Sequence, residues 1–420
     1  MKSFLVTTLG CKVNTYESQA MKEILLNNGY VEDYINPSLI IINTCAVTSV
    51  AEHKSRQKTS SYAKKFPNAI IVVCGCSTNI HPEDYQKMNF AHIIMSNNNH
   101  EDILKLIDEY NKTHKQVFSV DNNKRQRKYQ NLRISSFDEQ VRAFVKIGDG
   151  CNNFCSYCII PFSRGNLRSR DKDEILCEIS RLIENNYQEI VITGIDSASY
   201  GLEFDNYRFN DLLEDIMQIK GLKRLRISSI EASQIDDRFI SLLKKYPAIA
   251  PHLHIPLQSG SDTVLQRMKR KYSCEEFYQK IKKIKEELPD VALACDVIVG
   301  FPQETEEEFL QTYNFIKKCG FAFLHVFPYS IRKGTYAATL PNQINDQTKK
   351  ERVSRLISLG KELSNEYKKK FINKELNVLI ESYDKKTGLY HGLSENYLDC
   401  YIKSNTNIIN TFVKYIYHID

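Results

Sequence analysis

Cys151-Asn-Asn-Phe-Cys155-Ser-Tyr-Cys158 puts three thiols into one short loop, spaced by three and then two residues, directly after the apolar run Ala143 to Ile147. A loop this tight can aim three thiolates at one centre. Zinc is one possible occupant, with a fourth ligand from elsewhere. Structural zinc sites usually show paired C-x2-C units, however, and the next cysteine, Cys177, falls in a helical pattern. A four-iron four-sulfur cluster fits better, because three cysteines leave one iron without a protein ligand and open to a substrate or cofactor. Such a centre can do chemistry in addition to holding a fold.

A second set of cysteines follows three apolar runs nearer the N-terminus: Cys11 in Leu-Gly-Cys-Lys-Val-Asn, Cys45 in Asn-Thr-Cys-Ala-Val-Thr and Cys76 in Cys-Gly-Cys-Ser. In an open α/β sheet the carboxyl ends of the strands meet at the binding crevice, so residues far apart in sequence can converge there. Any one of these cysteines alone reads as a small buried thiol. Three at successive strand ends predict a second cluster with an open corner. Cys74, in the strand run that begins Ala-Ile-Ile-Val-Val, is expected in the core, and its closeness makes it the rival of Cys76 as a ligand.

The elements that must position these thiols can be read from the periodicity. Up to about residue 118, β-rich runs (Phe4 to Thr8, Leu39 to Ile42, Ala69 to Val73, His92 to Met95) alternate with helical stretches, the pattern of an open α/β sheet domain. The first helix is expected to take Asn14 as its N-cap, with Glu17 three residues on, and to stop at Gly29. Residues 119–140 carry Lys124, Arg125, Arg127, Lys128 and Arg133 without an intervening acid and read as a basic interdomain linker. From 141 onward six strand runs recur between amphipathic helices: Ala143 to Ile147, Glu189 to Thr193, Arg224 to Ser228, His252 to Pro256, Ala292 to Val299 and Phe323 to Phe327. Six βα units predict a parallel, partial (βα)6 barrel over 141–365. A charged helix, about Asp346 to Lys370, leads to a small antiparallel β module over 366–420 with a turn at Lys386-Thr387-Gly388. The fold class is α/β throughout, with domains at 1–118, 141–365 and 366–420.

Composition narrows the class further. With 420 residues, 42% hydrophobic and 26% charged, the chain is neither disordered, collagenous nor a multi-span membrane protein. Its net charge of +6 permits an anionic partner without requiring one. Twelve cysteines are too sparse for a disulfide scaffold and are expected as reduced, metal-serving thiols. The first apolar run is interrupted by Thr7 and Thr8, too short for a signal peptide, and no later run approaches the roughly 18 to 20 residues of a membrane span. A cytoplasmic location without a membrane partner is expected.

The C-x3-C-x2-C loop, with Tyr157 before its last cysteine and a six-unit α/β domain behind it, resembles the radical S-adenosylmethionine superfamily. With both cysteine sets in view, the whole chain resembles its methylthiotransferase family: an N-terminal cluster domain, a radical domain and a C-terminal TRAM module. The likeness runs through Asp149-Gly-Cys-Asn-Asn-Phe-Cys-Ser-Tyr-Cys-Ile-Ile-Pro, Arg164-Gly, Arg168-Ser-Arg170, His252-Leu-His-Ile-Pro-Leu-Gln-Ser-Gly and Asp296-Val-Ile-Val-Gly-Phe-Pro. Gly10 to Ser18 and His325 to Ser330 are similar to the bacterial branch that modifies N6-threonylcarbamoyladenosine beside the anticodon of transfer RNA. Ser77-Thr-Asn, Ile195-Asp-Ser and a short C-terminal module depart from the family pattern.

The resemblance implies two four-iron clusters and S-adenosylmethionine as cofactors, the clusters held by Cys151, Cys155 and Cys158 and by Cys11, Cys45 and Cys76. It implies cofactor contacts at Tyr157, Thr193, Gly194, Ser228, Ser229, Glu231 and Gly300. Its reaction uses one S-adenosylmethionine as methyl donor and cleaves a second to a 5′-deoxyadenosyl radical that activates C2 of the adenine. The partners implied are transfer RNA, an external electron donor and iron-sulfur assembly factors. Lys124, Arg125, Arg127 and Lys128 are the leading RNA contacts, with Lys223, Arg224, Arg226, Arg267, Lys269, Arg270 and Lys271 as further phosphate contacts. His252 and His254 share one strand face and are assigned no catalytic role. The alternatives are an isopentenyladenosine or ribosomal-protein aspartate acceptor, or a non-catalytic iron-sulfur or zinc RNA-binding protein.

Overall fold

The computed structural model describes residues 2–120, 128–137 and 140–418. The chain divides into two compact units, the first made of Met1–Ser136, Lys146–Asp171 and Ser330–Thr335, the second of Phe137–Val145, Lys172–Tyr329 and Tyr336–Asp420.

The first unit is built on a six-stranded sheet of β1 (Ser3–Thr8), β2 (Val31–Glu32), β3 (Leu39–Thr44), β4 (Ile70–Gly75), β5 (Ile93–Met95) and β6 (Val117–Ser119), in the order β2-β1-β3-β4-β5-β6 and parallel throughout. Both faces are covered, as an all-parallel sheet requires. Phe4, Leu39, Ile41, Val72 and Ile93 pack on one side with Met21 and Leu25 of α1 (Lys12–Leu26), and Leu5, Ile40, Ile42, Val73 and Ile94 pack on the other with Phe66 and Tyr85. The strand order reverses between β1 and β3. At such a switch point the two chains leave in opposite directions and open a crevice at the carboxyl ends.

The second unit holds six parallel strands in two runs. β7 (Arg142–Lys146), β10 (Glu189–Thr193) and β11 (Arg224–Ile227) form one; β12 (His252–His254), β13 (Ala292–Val299) and β14 (Phe323–Pro328) form the other. Bridges at Leu225 with Ile249 and Ser229 with His254 join them into the expected partial barrel. Between β7 and β10 the chain also forms β8 (Gly148–Asp149) and β9 (Arg168–Ser169), a short antiparallel pair within the first unit.

The C-terminal module is an antiparallel sheet of β15 (Glu375–Asp384), β16 (Leu389–Ser394), β17 (Asp399–Ile402) and β18 (Phe412–Ile416). It seals the amino-terminal end of the barrel strands. Arg224 donates to the carbonyls of Leu393 and Asn377, and Arg226 to those of Ser394 and Glu395, while both pair with the buried carboxylate of Glu189. Arg224 and Arg226 are 3% and 2% exposed, so the reading of these two arginines as phosphate contacts is corrected: their charges are spent inside the fold. Arg267 pairs with Glu308 and Arg270 with Glu231, which likewise accounts for two more of the cationic candidates.

Candidate active site and its two cysteine sets

The switch point of the first unit gathers the N-terminal cysteines. Cys11 follows β1 and Cys45 follows β3, on the two sides of the reversal, and Cys76 follows β4. The turn into Cys76 needs a glycine: Gly75 has φ +98°, and a Cβ there would lie 2.5 Å from Asn43 Oδ1 and the Thr44 carbonyl. Gly10 has φ +115°, and a Cβ there would stand 3.2 Å from Cys45 Sγ, which measures how closely the Cys11 loop approaches its neighbour. The thiols also sense each other. Burial pushes Cys45 up to about 11, and the charges of Cys76 and Cys11 add to the push.

Cys74 belongs elsewhere. It is fully buried among Phe4, Ile41, Val72 and Met95 on one sheet face, whereas Cys76 packs with Ala46 and Ile159 beyond the strand end. The turn at Gly75 separates the two thiols: as i and i+2 they would share one face of a continued strand, but the chain leaves the strand between them.

Cys151, Cys155 and Cys158 lie on a loop pinned in the same unit. Gly150 has φ +72° and approaches so near the carbonyl of Asn166 that a Cβ would sit at 2.0 Å, and Cys151 N donates to the Gly165 carbonyl at 3.1 Å. Asn152 Oδ1 accepts from Leu167 N, and Cys158 N donates to the Cys155 carbonyl. These bonds hold a loop in which Phe154 takes φ +47°. The three thiols and Tyr157 are all half-buried.

Behind both sets runs a buried ionic network that the sequence reading missed. Arg164, on the short helix Ile160–Arg164 that follows the cysteine loop, is completely buried. Its Nη1 donates to Glu17 at 2.8 Å and to Asp149 at 3.1 Å, its Nη2 to Asn14 at 3.0 Å and Glu17 at 3.1 Å, and its Nε to Cys76 Sγ at 3.2 Å. Lys146 Nζ completes the group, 2.7 Å from both Glu17 and Asp149. Burial opposes ionisation of Glu17, but Arg164 and Lys146 outweigh it and hold the carboxyl near 2. Asp149 is held well below the usual range by the same balance. The expected N-cap is thereby corrected. Helix α1 begins at Lys12 with Cys11 as N-cap, because Asn14 and Glu17 point into this network. The missed signal was the apolar spacing around Glu17, which puts that acid on the buried face of its helix.

The barrel carries the remaining predicted positions. Thr193 is buried at the end of β10, with Gly194 next to it, and Ser228, Ser229 and Glu231 follow β11. Ser228 Oγ is buried and has no hydrogen-bond partner among the described residues. Glu231 pairs with Arg270, yet burial dominates and raises its carboxyl above the ordinary value. Gly300, at φ +69°, is closely packed: its N–H donates to Glu304 at 2.6 Å, and a Cβ would meet Lys349 Cγ at 2.4 Å. His254 Nε2 and His325 Nδ1 lie 2.9 and 3.2 Å from one oxygen of Asp296, across adjacent strands. His252 stacks on Tyr397 of the C-terminal module, with ring centroids 4.5 Å apart. Of the leading RNA contacts, Lys128 is exposed, while Lys124, Arg125 and Arg127 lie outside the described residues.

Two family models match the chain: the radical SAM superfamily over residues 145–316 and the uncharacterized protein family UPF0004 over residues 3–96. A curated relative from Bacillus subtilis, threonylcarbamoyladenosine tRNA methylthiotransferase MtaB, is 42% identical over 97% of this chain and 92% of its own. The chain belongs to the radical S-adenosylmethionine methylthiotransferase family. Another such methylthiotransferase, from Aquifex aeolicus, is 33% identical over 93% of this chain and 94% of its own. A tRNA-2-methylthio-N(6)-dimethylallyladenosine synthase from Caldicellulosiruptor saccharolyticus is 34% identical over 98% and 89%. Among solved structures, the radical S-adenosylmethionine methyltransferase TsrM from Kitasatospora setae shares the fold, with a TM-score of 0.60 and 12% identity over 80% of this chain and 77% of that one.

As a member of the methylthiotransferase family the protein is an enzyme, a transferase, and the family's cofactors are S-adenosylmethionine and four-iron clusters. The donor sets fit that chemistry. Ligands of one tetrahedral zinc at Zn–S of about 2.3 Å stand roughly 4 Å apart. Among the described residues, the group of ligand atoms that all lie within 4.8 Å of one another is His254, Asp296 and His325, and neither cysteine set is that compact. Thiols spread more widely than one ion allows suit a cluster whose irons occupy separate corners. The orphaned Ser228 Oγ in turn fits a polar ligand at the barrel mouth.

Proposed function

We propose that the protein inserts a methylthio group at C2 of N6-threonylcarbamoyladenosine, next to the anticodon of transfer RNA. The observation that carries this reading is the gathering of Cys11, Cys45 and Cys76 at the sheet's switch point, in the compact unit that also holds the Cys151 loop. One cysteine set would suffice for radical generation alone, whereas a second gives sulfur insertion its own centre. The names of the curated relatives support transfer RNA as substrate and the threonylcarbamoyl base as target.

When bound, the two clusters and S-adenosylmethionine supply the electron, the radical and the methyl group that attack on an unactivated aromatic carbon requires. The chain's own residues do the rest. Cys151, Cys155 and Cys158 hold one cluster, and Cys11, Cys45 and Cys76 the other. Tyr157, Thr193, Gly194, Ser228, Ser229 and Glu231 line the cofactor, and Ser228 offers it a hydroxyl that the fold leaves unspent. Gly300 forms the adenine-side turn. Lys128, with Lys124, Arg125 and Arg127, meets the phosphate backbone. An external electron donor reduces the enzyme, assembly factors load it, and it works in the cytoplasm; no described helix is long and apolar enough to cross a membrane.

Mass analysis of transfer RNA nucleosides from a deletion strain tests the substrate. The expected result is loss of the 2-methylthio form of N6-threonylcarbamoyladenosine and its return on complementation. Loss of the methylthiolated isopentenyl nucleoside would move the enzyme to the related branch. An unchanged nucleoside profile with an unmodified ribosomal-protein aspartate would make a protein the acceptor.

A further inference from the structure

The guanidinium of Arg164 has five N–H donors, and one of them, Nε–H, points at Cys76 Sγ from 3.2 Å. The other contacts tie it to α1 through Glu17 and Asn14, and to Asp149, two residues before Cys151. Ser163 Oγ donates to the Cys76 carbonyl and Asn79 Nδ2 to the Ser163 carbonyl, so the short helix is fixed against the Cys76 turn on both sides of the arginine. Asn97 Nδ2 stands 3.8 Å from the same sulfur as a second, neutral donor. Cys45 receives a backbone N–H from Val47, and Cys11 faces Asn14 Oδ1 at 3.6 Å. Among the described residues, the direct charged hydrogen bond in this set is made to Cys76.

Two physical effects act at that sulfur in the same direction. A hydrogen bond to a ligand sulfur draws electron density from it, and a buried positive charge favours the state with one more electron; both raise a cluster's reduction potential. With Arg168, 3.5 Å from Asp149, three cations face the two carboxylates of Glu17 and Asp149, so the group carries one net positive charge before Cys76 is counted and the thiolate is its remaining acceptor. Burial makes the contact weigh more than it would at the surface.

We propose that Arg164 is a positioning residue that sets the reduction potential of the auxiliary centre, through its Nε–H bond to the ligand sulfur of Cys76. The proposal rests on the assignment of Cys11, Cys45 and Cys76 as cluster ligands. Arg164 acts through Cys76 and touches no substrate.

The test uses the full chain with Cys151, Cys155 and Cys158 replaced by alanine, reconstituted anaerobically, so that the auxiliary centre alone is titrated. Midpoint potentials are read from the paramagnetic signal of the reduced cluster in a mediated dithionite titration. Arg164→Lys keeps a charge without the Nε–H donor. The paired variant Glu17→Gln with Arg164→Gln removes both charges, so that no carboxylate partner of the pair is stranded. Both are expected to keep auxiliary iron and to shift the midpoint to more negative values, whereas Cys74→Ala leaves it in place. An unmoved midpoint in both variants would overturn the proposal. So would folded variants that hold no auxiliary iron, since Arg164 would then be a structural clamp. Absence of auxiliary iron from the unsubstituted Arg164 protein would instead remove the ligand assignment itself.

Discussion

Two cysteine triads sit in one compact unit and are built in opposite ways. Cys151, Cys155 and Cys158 come from a single loop, held by the backbone bond of Cys151 to Gly165 and by the Asn152 side chain on Leu167 N. Cys11, Cys45 and Cys76 come from three strand ends and converge only because β1, β3 and β4 are neighbours in a parallel sheet. The first set is a local property of sequence and the second a property of topology. A local set tolerates damage to the sheet, and a topological set depends on every element that fixes the strand ends.

The comparison breaks most completely by removing either set. Alanine at Cys151, Cys155 and Cys158, and separately at Cys11, Cys45 and Cys76, should each abolish the methylthiolated nucleoside in a complementation assay. Retention of product by either variant would make that set dispensable. A finer contrast separates two neighbouring thiols. Cys76→Ala should lose the auxiliary iron, whereas Cys74→Ala should keep it and cost about 1–2 kcal/mol in stability, as a small core cavity does. Iron analysis and denaturant titration measure both.

The network joining the two sets gives the next effect. Glu17→Ala strands the buried charges of Arg164 and Lys146 and should destabilise the first unit by about 3–5 kcal/mol. Its pH signature has a definite sign. Glu17 and Asp149 titrate lower in the fold than in the open chain, so their stabilisation is complete above about pH 5 and is lost as pH falls through the folded values, about 2 for Glu17. Glu17→Gln should flatten the acid limb of a stability profile followed by circular dichroism. The smallest effect lies in the barrel. Ser228→Ala should raise the KM for S-adenosylmethionine by about five- to tenfold, the value of one hydrogen bond, and leave the apo protein's melting temperature unchanged because Ser228 Oγ has no partner there.

The sequence made the local set plain, since spacing alone aims three thiols at one point. It also pointed to the topological set, because each cysteine closes an apolar run, while Cys74, inside its run, read as a core residue, which is where the structure buries it. What it missed are contacts made across distant segments. Glu17 read as part of a helix start, although its partners are 129 and 147 residues away. Arg224 and Arg226 read as phosphate contacts because charge was counted without Glu189 and the C-terminal carbonyls that absorb it. Asp296 and His325 read only as parts of two family-like stretches, and their meeting with His254 stayed hidden because it depends on the register of β12, β13 and β14. Spacing reveals what one element presents, and register decides what two elements share.

The most direct test of two separable centres is iron content with 5′-deoxyadenosine release, measured anaerobically on the wild type and on the Cys11→Ala, Cys45→Ala, Cys76→Ala variant. About eight irons per chain should fall to about four, with cleavage of S-adenosylmethionine retained, as two four-iron clusters on the two proposed ligand sets require. A wild type with about four irons, unchanged in the variant, would contradict the account and leave the strand-end cysteines without a cluster.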